Sequence, residues 1–124
     1  MKEPLRYLNN AKEILKKAPI EDNDYTEVKY VQEACGTAYL AILKAIDEYL
    51  LNKGLSKKEL PKSYEAYLSA LRKHLDIHNG KLFRQFDHLY HELHIAGYYR
   101  GDLYNVNMVK EALKSAKAFM EKIG

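Results

Sequence analysis

Histidines are concentrated in one part of this 124-residue sequence, and their spacing is the first indication of chemistry. All five fall between residues 74 and 94, at His74, His78, His88, His91 and His94. Two of them also belong to a polar row with steps of three and four residues, the spacing that keeps side chains on one face of an α-helix. The row consists of Arg84, Asp87, His91, His94 and Tyr98.

A metal site is one interpretation, because His88, His91 and His94 follow one another at three-residue steps. A helical di-iron site, however, requires Glu-x-x-His on two helices, and the sequence contains no Glu-x-x-His. His88 and His94 also diverge by about 120° around a helix axis, which is too far to share one ion. We therefore predict no metal and no cofactor.

Proton transfer on RNA is a second interpretation. Arg84 and His91 are seven residues apart and lie nearly in register on one helix face. A guanidinium there would stabilise charge on a phosphate while His91, assisted by His94, exchanges a proton. RNA cleavage through its own 2′-hydroxyl needs these two roles and no metal. The third interpretation is a partly exposed face on which Asp87 and His91 form an i, i+4 pair.

Composition limits the classes of protein to which this row can belong. The length and the lack of a Pro-, Gly- or Ser-rich linker predict one domain over residues 1–124. With 47% hydrophobic and 30% charged residues, the chain has material for a core and for a polar surface. The net charge of +3 is too small to indicate RNA binding by itself.

Cys35, the single cysteine, occupies an apolar helical position, so we predict a buried core residue rather than a nucleophile. No signal-peptide pattern is present at the N-terminus, so we expect a cytoplasmic protein. The longest nearly apolar run, residues 38–46, is far shorter than the roughly 20 residues that cross a bilayer. We therefore expect no membrane insertion.

Apolar periodicity predicts five helices and no strand. The first begins after Pro4 and ends near Pro19, and the polar residues 21–24 form a linker in which Asp24 caps the second helix. The second is the longest, at about 27 residues, and is predicted to be the central core helix. Its stripe consists of Val28, Val31, Cys35, Ala38, Ile42, Ala45 and Tyr49.

The third and fifth helices have clear cap signals. Ser63 is the predicted N-cap of the third helix, which ends at Asn79-Gly80. Its predicted buried side chains are Tyr64, Leu68, Leu71 and Leu75. Asn105 is the predicted N-cap of the fifth helix, which reaches the end of the sequence. Its predicted core stripe is Val106, Val109, Leu113, Ala116, Met120 and Ile123.

The fourth helix is predicted to be regular from Lys81 to Tyr98 and to have two stripes. Its core side is predicted to be Leu82, Phe86, Leu89, Leu93 and Ala96. The polar row lies about 120° from that side. Short connections between the helices favour an all-α fold, an antiparallel up-and-down four-helix bundle with the short first helix packed alongside.

From Arg84 to His91 the sequence resembles the HEPN superfamily (higher eukaryotes and prokaryotes nucleotide-binding). These are small helical bundles whose RNase members carry Arg, four to six residues and then His; here six residues intervene. Gln85 follows the arginine, where HEPN nucleases usually have Asn, Asp or His. The resemblance implies a HEPN-like bundle and, for catalytic members, a metal-independent endoribonuclease.

A resemblance over nearly the whole sequence is to a family of small helical proteins of unknown function, known mainly from Bacteroidetes and similar to HEPN domains. The recurring histidine of that family corresponds to His94, which implies His94 and Tyr98 as site residues rather than Arg84 and His91. The stretches that carry the resemblance are Arg6-Tyr7-Leu8-x-Asn10-Ala11-Lys12-Glu13-Ile14-Leu15, Gly36-Thr37-Ala38-Tyr39, Ala45-Ile46-Asp47, Lys62-Ser63-x-Glu65-x-Tyr67 and Leu93-His94-x-x-Gly97-Tyr98.

The HEPN resemblance also implies pairing through bundle faces and, often, a nucleotidyltransferase partner. The polar row suits such a face, because Tyr and Arg are favoured at interfaces. We therefore predict Asp87, Tyr98, Tyr99 and Arg100 as ligand or interface residues. We expect a homodimer that binds a partner protein or a nucleotide-containing ligand; the alternative is the endoribonuclease with Arg84, His91 and His94.

Overall fold

The computed structural model describes residues 1–75 and 80–124 of the chain. A 3₁₀ turn occupies Lys57–Glu59, and two strands of two residues, β1 (Ile20–Glu21) and β2 (Asp24–Tyr25), form a small hairpin. The helices are α1 (Lys2–Lys16), α2 (Val28–Asn52), α3 (Tyr64–His74), α4 (Lys81–Leu89), a π-helix (Tyr90–Tyr99) and α5 (Val106–Ile123). The chain is therefore mostly helical, as its periodicity predicts.

The predicted central helix is central in the structure. α2 packs against α1, the π-helix and α5. Because it has neighbours on several sides, its buried residues spread around the helix instead of forming one stripe. They are Val31, Ala34, Cys35, Ala38, Tyr39, Ala41, Ile42, Ala45, Ile46 and Leu50. Val28 and Tyr49, the two ends of the predicted stripe, are exposed and half-buried respectively.

The longest nearly apolar run of the sequence, residues 38–46, lies in the middle of α2. Most of its side chains are buried against the neighbouring helices. Within the part of the chain that the structure describes, no helix is both long and apolar enough to cross a membrane.

The predicted linker after α1 is a β-hairpin instead. Asp22 and Asn23 both have positive φ, 50° and 66°, as the two central residues of a type I′ turn do. Asp24 therefore belongs to β2 and does not cap α2, which begins at Val28 after Glu27. Strands of two residues are too short to show an alternating pattern, so the periodicity did not predict them.

The hairpin also fixes the start of α5. The backbone nitrogen of Val106 donates to the oxygen of Asn23 at 2.9 Å, and that of Tyr25 donates to Tyr104 at 2.8 Å. Because Gly124 lies beside the first residue of the chain, α1 and α5 run antiparallel. α1 has 15 residues against the 11 of α3, so it is not the short helix that the sequence predicted.

Both predicted helix caps beyond the hairpin are confirmed. Ser63 Oγ accepts a hydrogen bond from the backbone nitrogen of Ala66 at 3.1 Å. Asn105 Oδ1 accepts from the backbone nitrogen of Met108, also at 3.1 Å. The core stripe predicted for α5 is buried at every position.

α3 buries a slightly different face from the predicted one. The two last leucines of its predicted stripe are buried, but Tyr67 is buried as well, while Tyr64 and Leu68 are only half-buried. Tyr67 turns inward because its hydroxyl donates to Asp47 of α2 at 2.9 Å. The helix ends at His74; its predicted end at Asn79 lies outside the described residues.

The fourth predicted helix is not one regular α-helix. α4 begins after Gly80, which has a φ of 75°, and ends at Leu89, where the backbone continues as the π-helix. At the end of the π-helix, Arg100 N donates to Ile95 O, five residues earlier, at 2.8 Å. A π turn takes more residues than an α turn, so positions after Tyr90 shift around the axis.

The burial of the side chains shows this shift around the helix axis. The predicted core positions up to Leu93 are buried, but Ala96 is only half-buried and Gly97 is buried instead. The apolar pattern therefore identified the buried side of this segment correctly as far as Leu93. Beyond that point an α-helical count is wrong by one residue.

Candidate functional site

The candidate site begins where α2 and the π-helix approach each other closely. A Cβ on Gly97 would lie 2.6 Å from the sulfur of Cys35 and 2.7 Å from its Cβ. A Cβ on Gly36 would lie 2.8 Å from Cδ1 of the Tyr98 ring. One glycine on each helix therefore permits the contact, since real Cβ atoms do not approach so closely.

A hydrogen bond closes this contact at the C-terminal end of the π-helix. Gln32 Nε2 donates to the backbone oxygen of Tyr98 at 3.0 Å. The last carbonyl groups of a helix have no partner within it, so Gln32 satisfies one of them from α2. Gly101, with a φ of 66°, then turns the chain away beside Gln32.

His94 lies at the centre of a cluster of rings at this contact. Its ring centroid is 5.0 Å from that of Tyr39, 5.3 Å from Tyr90 and 5.7 Å from Tyr98. These separations lie in the favourable range for ring pairs. The rings of His94 and Tyr98 are nearly parallel, with an interplanar angle of 14°.

The cluster extends from the core to the surface. Tyr39 is buried, and desolvation raises the pKa of its hydroxyl. Tyr90 and His94 are half-buried, while the side chain of Tyr98 is 48% exposed. A flat ligand or a partner side chain can therefore reach the ring of Tyr98, while the inner rings hold that ring in place.

Tyr64 extends the cluster to α3. Its ring stacks on Tyr90, with centroids 3.9 Å apart and an interplanar angle of 23°. Its hydroxyl donates to Asp87 Oδ1. Desolvation and then this hydrogen bond raise the pKa of Tyr64 to about 12, so the hydroxyl remains a donor at neutral pH.

His91 is held at the edge of the same cluster, on the side that faces α3. Its Nδ1 is 2.9 Å from the backbone oxygen of Asp87 and 3.5 Å from Oδ1 of the same residue. Since a carbonyl oxygen only accepts, Nδ1 is the donor, and in the neutral ring Nε2 is left as a proton acceptor. The predicted pair of Asp87 and His91 is therefore confirmed.

Arg84 and His88 lie toward a different neighbour. Both line a groove of about 340 Å³ that α5 closes with Ser115 and Ala118. The rings around His91 lie on the α3 side instead. The structure thus connects Asp87, His91, His94 and Tyr98 through the rings of Tyr64 and Tyr90. It places Arg84 in the groove toward α5.

The remaining predicted interface residues lie on the surface after the cluster. The side chain of Tyr99 is 75% exposed, and Arg100 is exposed beside it. Tyr104 is also exposed, although its backbone oxygen accepts from the hairpin. These side chains are accessible to a partner, and none of them stacks in the cluster.

Sequence reasoning missed Tyr39 and Tyr64 as members of the site. The apolar pattern assigned Tyr64 to the buried side of α3, and the predicted stripe of α2 did not include Tyr39. A signal for Tyr39 was nevertheless present: the stretch Gly36-Thr37-Ala38-Tyr39 resembles the family as much as Leu93-His94-x-x-Gly97-Tyr98 does. In the structure these two stretches contact each other.

Metal ligation has no support in the described ranges 1–75 and 80–124, where no three His, Cys, Asp or Glu side chains are grouped to hold an ion. His88 Nε2 is 3.9 Å from Glu92 Oε2, which is an ion pair when the histidine is protonated. His78 lies outside the described residues.

Cys35 is buried beneath the contact of α2 and the π-helix, as predicted. Desolvation, with a smaller contribution from the charge of Glu92, raises the pKa of its thiol to about 12. A thiol that is not ionised at neutral pH is a poor nucleophile. Cys35 is therefore a packing residue of the site.

The geometry defines a small, mostly helical protein with a histidine-centred ring cluster on a π-helix. A family model described as a domain of unknown function (DUF5618) matches residues 1–124, so the chain belongs to this family. A solved structure, a protein of unknown function from Dyadobacter fermentans, is similar with a TM-score of 0.79 and 32% identity, over 98% of this chain and 90% of that one. No curated protein matches the chain significantly.

Proposed function

We propose that this protein is a HEPN-like helical bundle that forms a homodimer and binds a partner protein or a nucleotide-containing ligand. The proposed fold is a four-helix bundle with α1 packed alongside. The proposed binding face, the π-helix face, consists of the π-helix (Tyr90–Tyr99) and the adjoining surface of α2 from Gly36 to Leu40. The HEPN resemblance implies a nucleotidyltransferase as the class of partner protein.

The observation that carries the proposal is the change from α to π backbone at Tyr90, where the ring cluster begins. A regular α-helix has the more favourable backbone, so π-helices are rare. Those that occur are frequently found at functional sites. The segment keeps this less favourable backbone although its outermost rings are not buried. Contacts with α2 hold this backbone in place, but they do not explain why the outermost rings lie at the surface, whereas binding does.

Exposed apolar side chains on α2 support the dimer. Leu40 is 48% exposed and lies one helical turn after Gly36, against which Tyr98 packs. We infer that Leu40 and Tyr98 belong to one apolar patch, next to which Tyr99 and Arg100 follow Tyr98 in the chain and are exposed. A two-fold axis would place this patch against its own copy, as in most soluble homodimers.

The outer ring of the cluster supports the ligand. Tyr98 is backed by the parallel ring of His94 and offers its exposed surface to a flat group. A nucleobase stacks on such a ring whatever its identity. Arg100, exposed two residues later, has the charge and geometry for a phosphate.

Sedimentation equilibrium tests the dimer with two matched substitutions. We expect the wild type to be a dimer at high micromolar concentration and Leu40→Glu to be a monomer. Leu51→Glu is the control, because Leu51 is also exposed (38%) on α2 but lies at the other end of that helix from Gly36. A wild-type protein that stays monomeric, or equal loss of the dimer in both variants, contradicts the proposal.

A metal-independent endoribonuclease is the second candidate. The orientation of His91 favours it, because Asp87 fixes Nδ1 as donor and leaves Nε2 to accept a proton. The predicted phosphate ligand Arg84 lies toward α5, which weakens the candidate. It predicts RNA cleavage in EDTA that leaves 2′,3′-cyclic phosphate ends and is lost in His91→Ala or His94→Ala; intact RNA excludes it.

A further inference from the structure

A second surface, separate from the π-helix face, is a groove of about 870 Å³ between α1, the hairpin and α5. Leu15, Tyr25 and Leu113 give it an apolar lining, and Ile20 is 56% exposed at the hairpin end. This volume lies in the range of ligand sites rather than of packing defects. The groove is therefore large enough to hold apolar side chains of a partner.

Lysines line both walls of this groove. They come from α1 and α5, and they are Lys12, Lys16, Lys110, Lys114 and Lys117. Glu121 is the one acidic residue of the lining. The lining therefore has a formal charge of +4, which exceeds the +3 of the whole chain, and the rest of the chain is slightly acidic.

These positive charges are poorly compensated within the protein. Among the described residues, Lys16 alone of the five lysines forms an ion pair, with Glu13 at 2.9 Å. Lys110 and Lys114 are four residues apart on α5, a spacing at which like charges destabilise a helix. An acidic occupant would remove this repulsion as well as cover the apolar lining.

We infer that the groove binds an acidic amphipathic helix of a partner protein. Lys110 and Glu121, at the two ends of the α5 wall, are about 16 Å apart along the helix, or three turns. Apolar residues on one face of the partner would contact Leu113 and Ile20, and its acidic flanks would meet the lysines on both walls. A lipid with one anionic headgroup would need positive charge at one end only, whereas here the lysines extend along the groove.

Fluorescence polarisation with a designed probe tests the inference. The probe is a fluorescein-labelled peptide of about 18 residues, five helical turns, with leucines on one face and glutamates on both flanks. We expect micromolar binding that weakens as NaCl is added. The double substitution Lys110→Glu with Lys114→Glu should weaken it by about tenfold or more, and Ile20→Ser should weaken it without changing the charge.

The matched control is Lys57→Glu with Lys58→Glu, which makes the same charge change in the 3₁₀ turn, outside the groove. It should bind the probe like the wild type, and circular dichroism should show the same helix content in all variants. Equal weakening by both double substitutions, or equal binding of a scrambled peptide, overturns the inference. Binding to phosphatidylglycerol vesicles without binding to the peptide also overturns it, in favour of a membrane surface.

Discussion

α5 and the π-helix are adjacent in the chain and differ in what determines their backbone. α5 begins at a side-chain cap, Asn105, and buries a heptad stripe to its end. The π-helix begins in the middle of a helix, without a cap side chain, and it packs mainly against α2, with Tyr64 of α3 stacked on Tyr90. A local pattern therefore specifies where a helix lies, while contacts with a neighbour determine which helical form it takes.

The tertiary contacts must compensate for the less favourable π backbone. Gly97 packs on Cys35, Gln32 satisfies the oxygen of Tyr98, and the ring of His94 lies on Tyr39. Loss of these contacts should affect the π-helix more than loss of a local feature affects α5. Substitutions in the π-helix and in α5 test this difference.

Gly97→Ala should have the largest effect, although alanine is intrinsically the better helix residue. The new methyl group would meet the sulfur and Cβ of Cys35, which is fully buried and has no room to move. We expect the free energy of unfolding, measured by urea denaturation, to fall by about 3 kcal/mol.

Two further variants show whether the contact is the cause. Adding Cys35→Gly to Gly97→Ala should restore part of the stability, because it removes the obstructing side chain. Ala118→Gly, at an exposed position of α5, should cost about 1 kcal/mol through helix propensity alone. A stabilising effect of Gly97→Ala would contradict the close approach of α2 and the π-helix.

The difference between local patterns and tertiary contacts explains which elements the sequence could predict. The caps Ser63 and Asn105 and the α5 stripe depend on residues a few positions apart, and all were predicted. The hairpin was missed because its turn, Asp22-Asn23, joins strands that are too short for a pattern. The π-helix was missed because it depends on Gly36 of another helix.

For the candidate site, the sequence predicted one local pair of residues but not the arrangement of the rings. The polar spacing predicted the pair of Asp87 and His91, which forms at the junction of α4 and the π-helix. The family resemblance indicated His94 and Tyr98. Tyr39 and Tyr64 come from α2 and α3, and their distance from His94 and His91 follows from tertiary packing, which no spacing within the fourth helix encodes.

Asn105→Ala tests whether α5 depends on the cap residue at its own start. Loss of the hydrogen bond from Met108 N to Asn105 Oδ1, with the longer bonds from Asn105 Nδ2 to Asn23 and Asp24 of the hairpin, should lower the free energy of unfolding by about 1 kcal/mol. Asn105→Ser retains an acceptor and should lose less. In both variants the NMR signals of the His94 ring should stay unchanged, because the cluster depends on α2 and not on the start of α5. A shift of those signals would contradict the separation of the two regions.

Glu92→Gln should have the smallest effect and a defined pH dependence. Burial in the π-helix raises the pKa of Glu92 above its ordinary value of 4.5, despite the nearby His88. A carboxyl group with a raised folded-state pKa contributes stability that is fully present below pH 4.5 and is lost as the pH rises through the folded-state pKa. The variant cannot ionise, so at neutral pH it should be more stable than the wild type by about 0.5 kcal/mol.

Glu3→Gln on α1 should show the opposite sign and serves as the control. The hydrogen bond from Arg6 lowers the pKa of Glu3, so its contribution is present above pH 4.5 and is lost as the pH falls through the lowered folded-state pKa. Thermal unfolding from pH 3 to pH 8 should therefore show Glu92→Gln gaining on the wild type as the pH rises, while Glu3→Gln loses. If Glu92→Gln also loses stability as the pH rises, then ionised Glu92 stabilises the π-helix, and burial is not the dominant influence on its carboxylate.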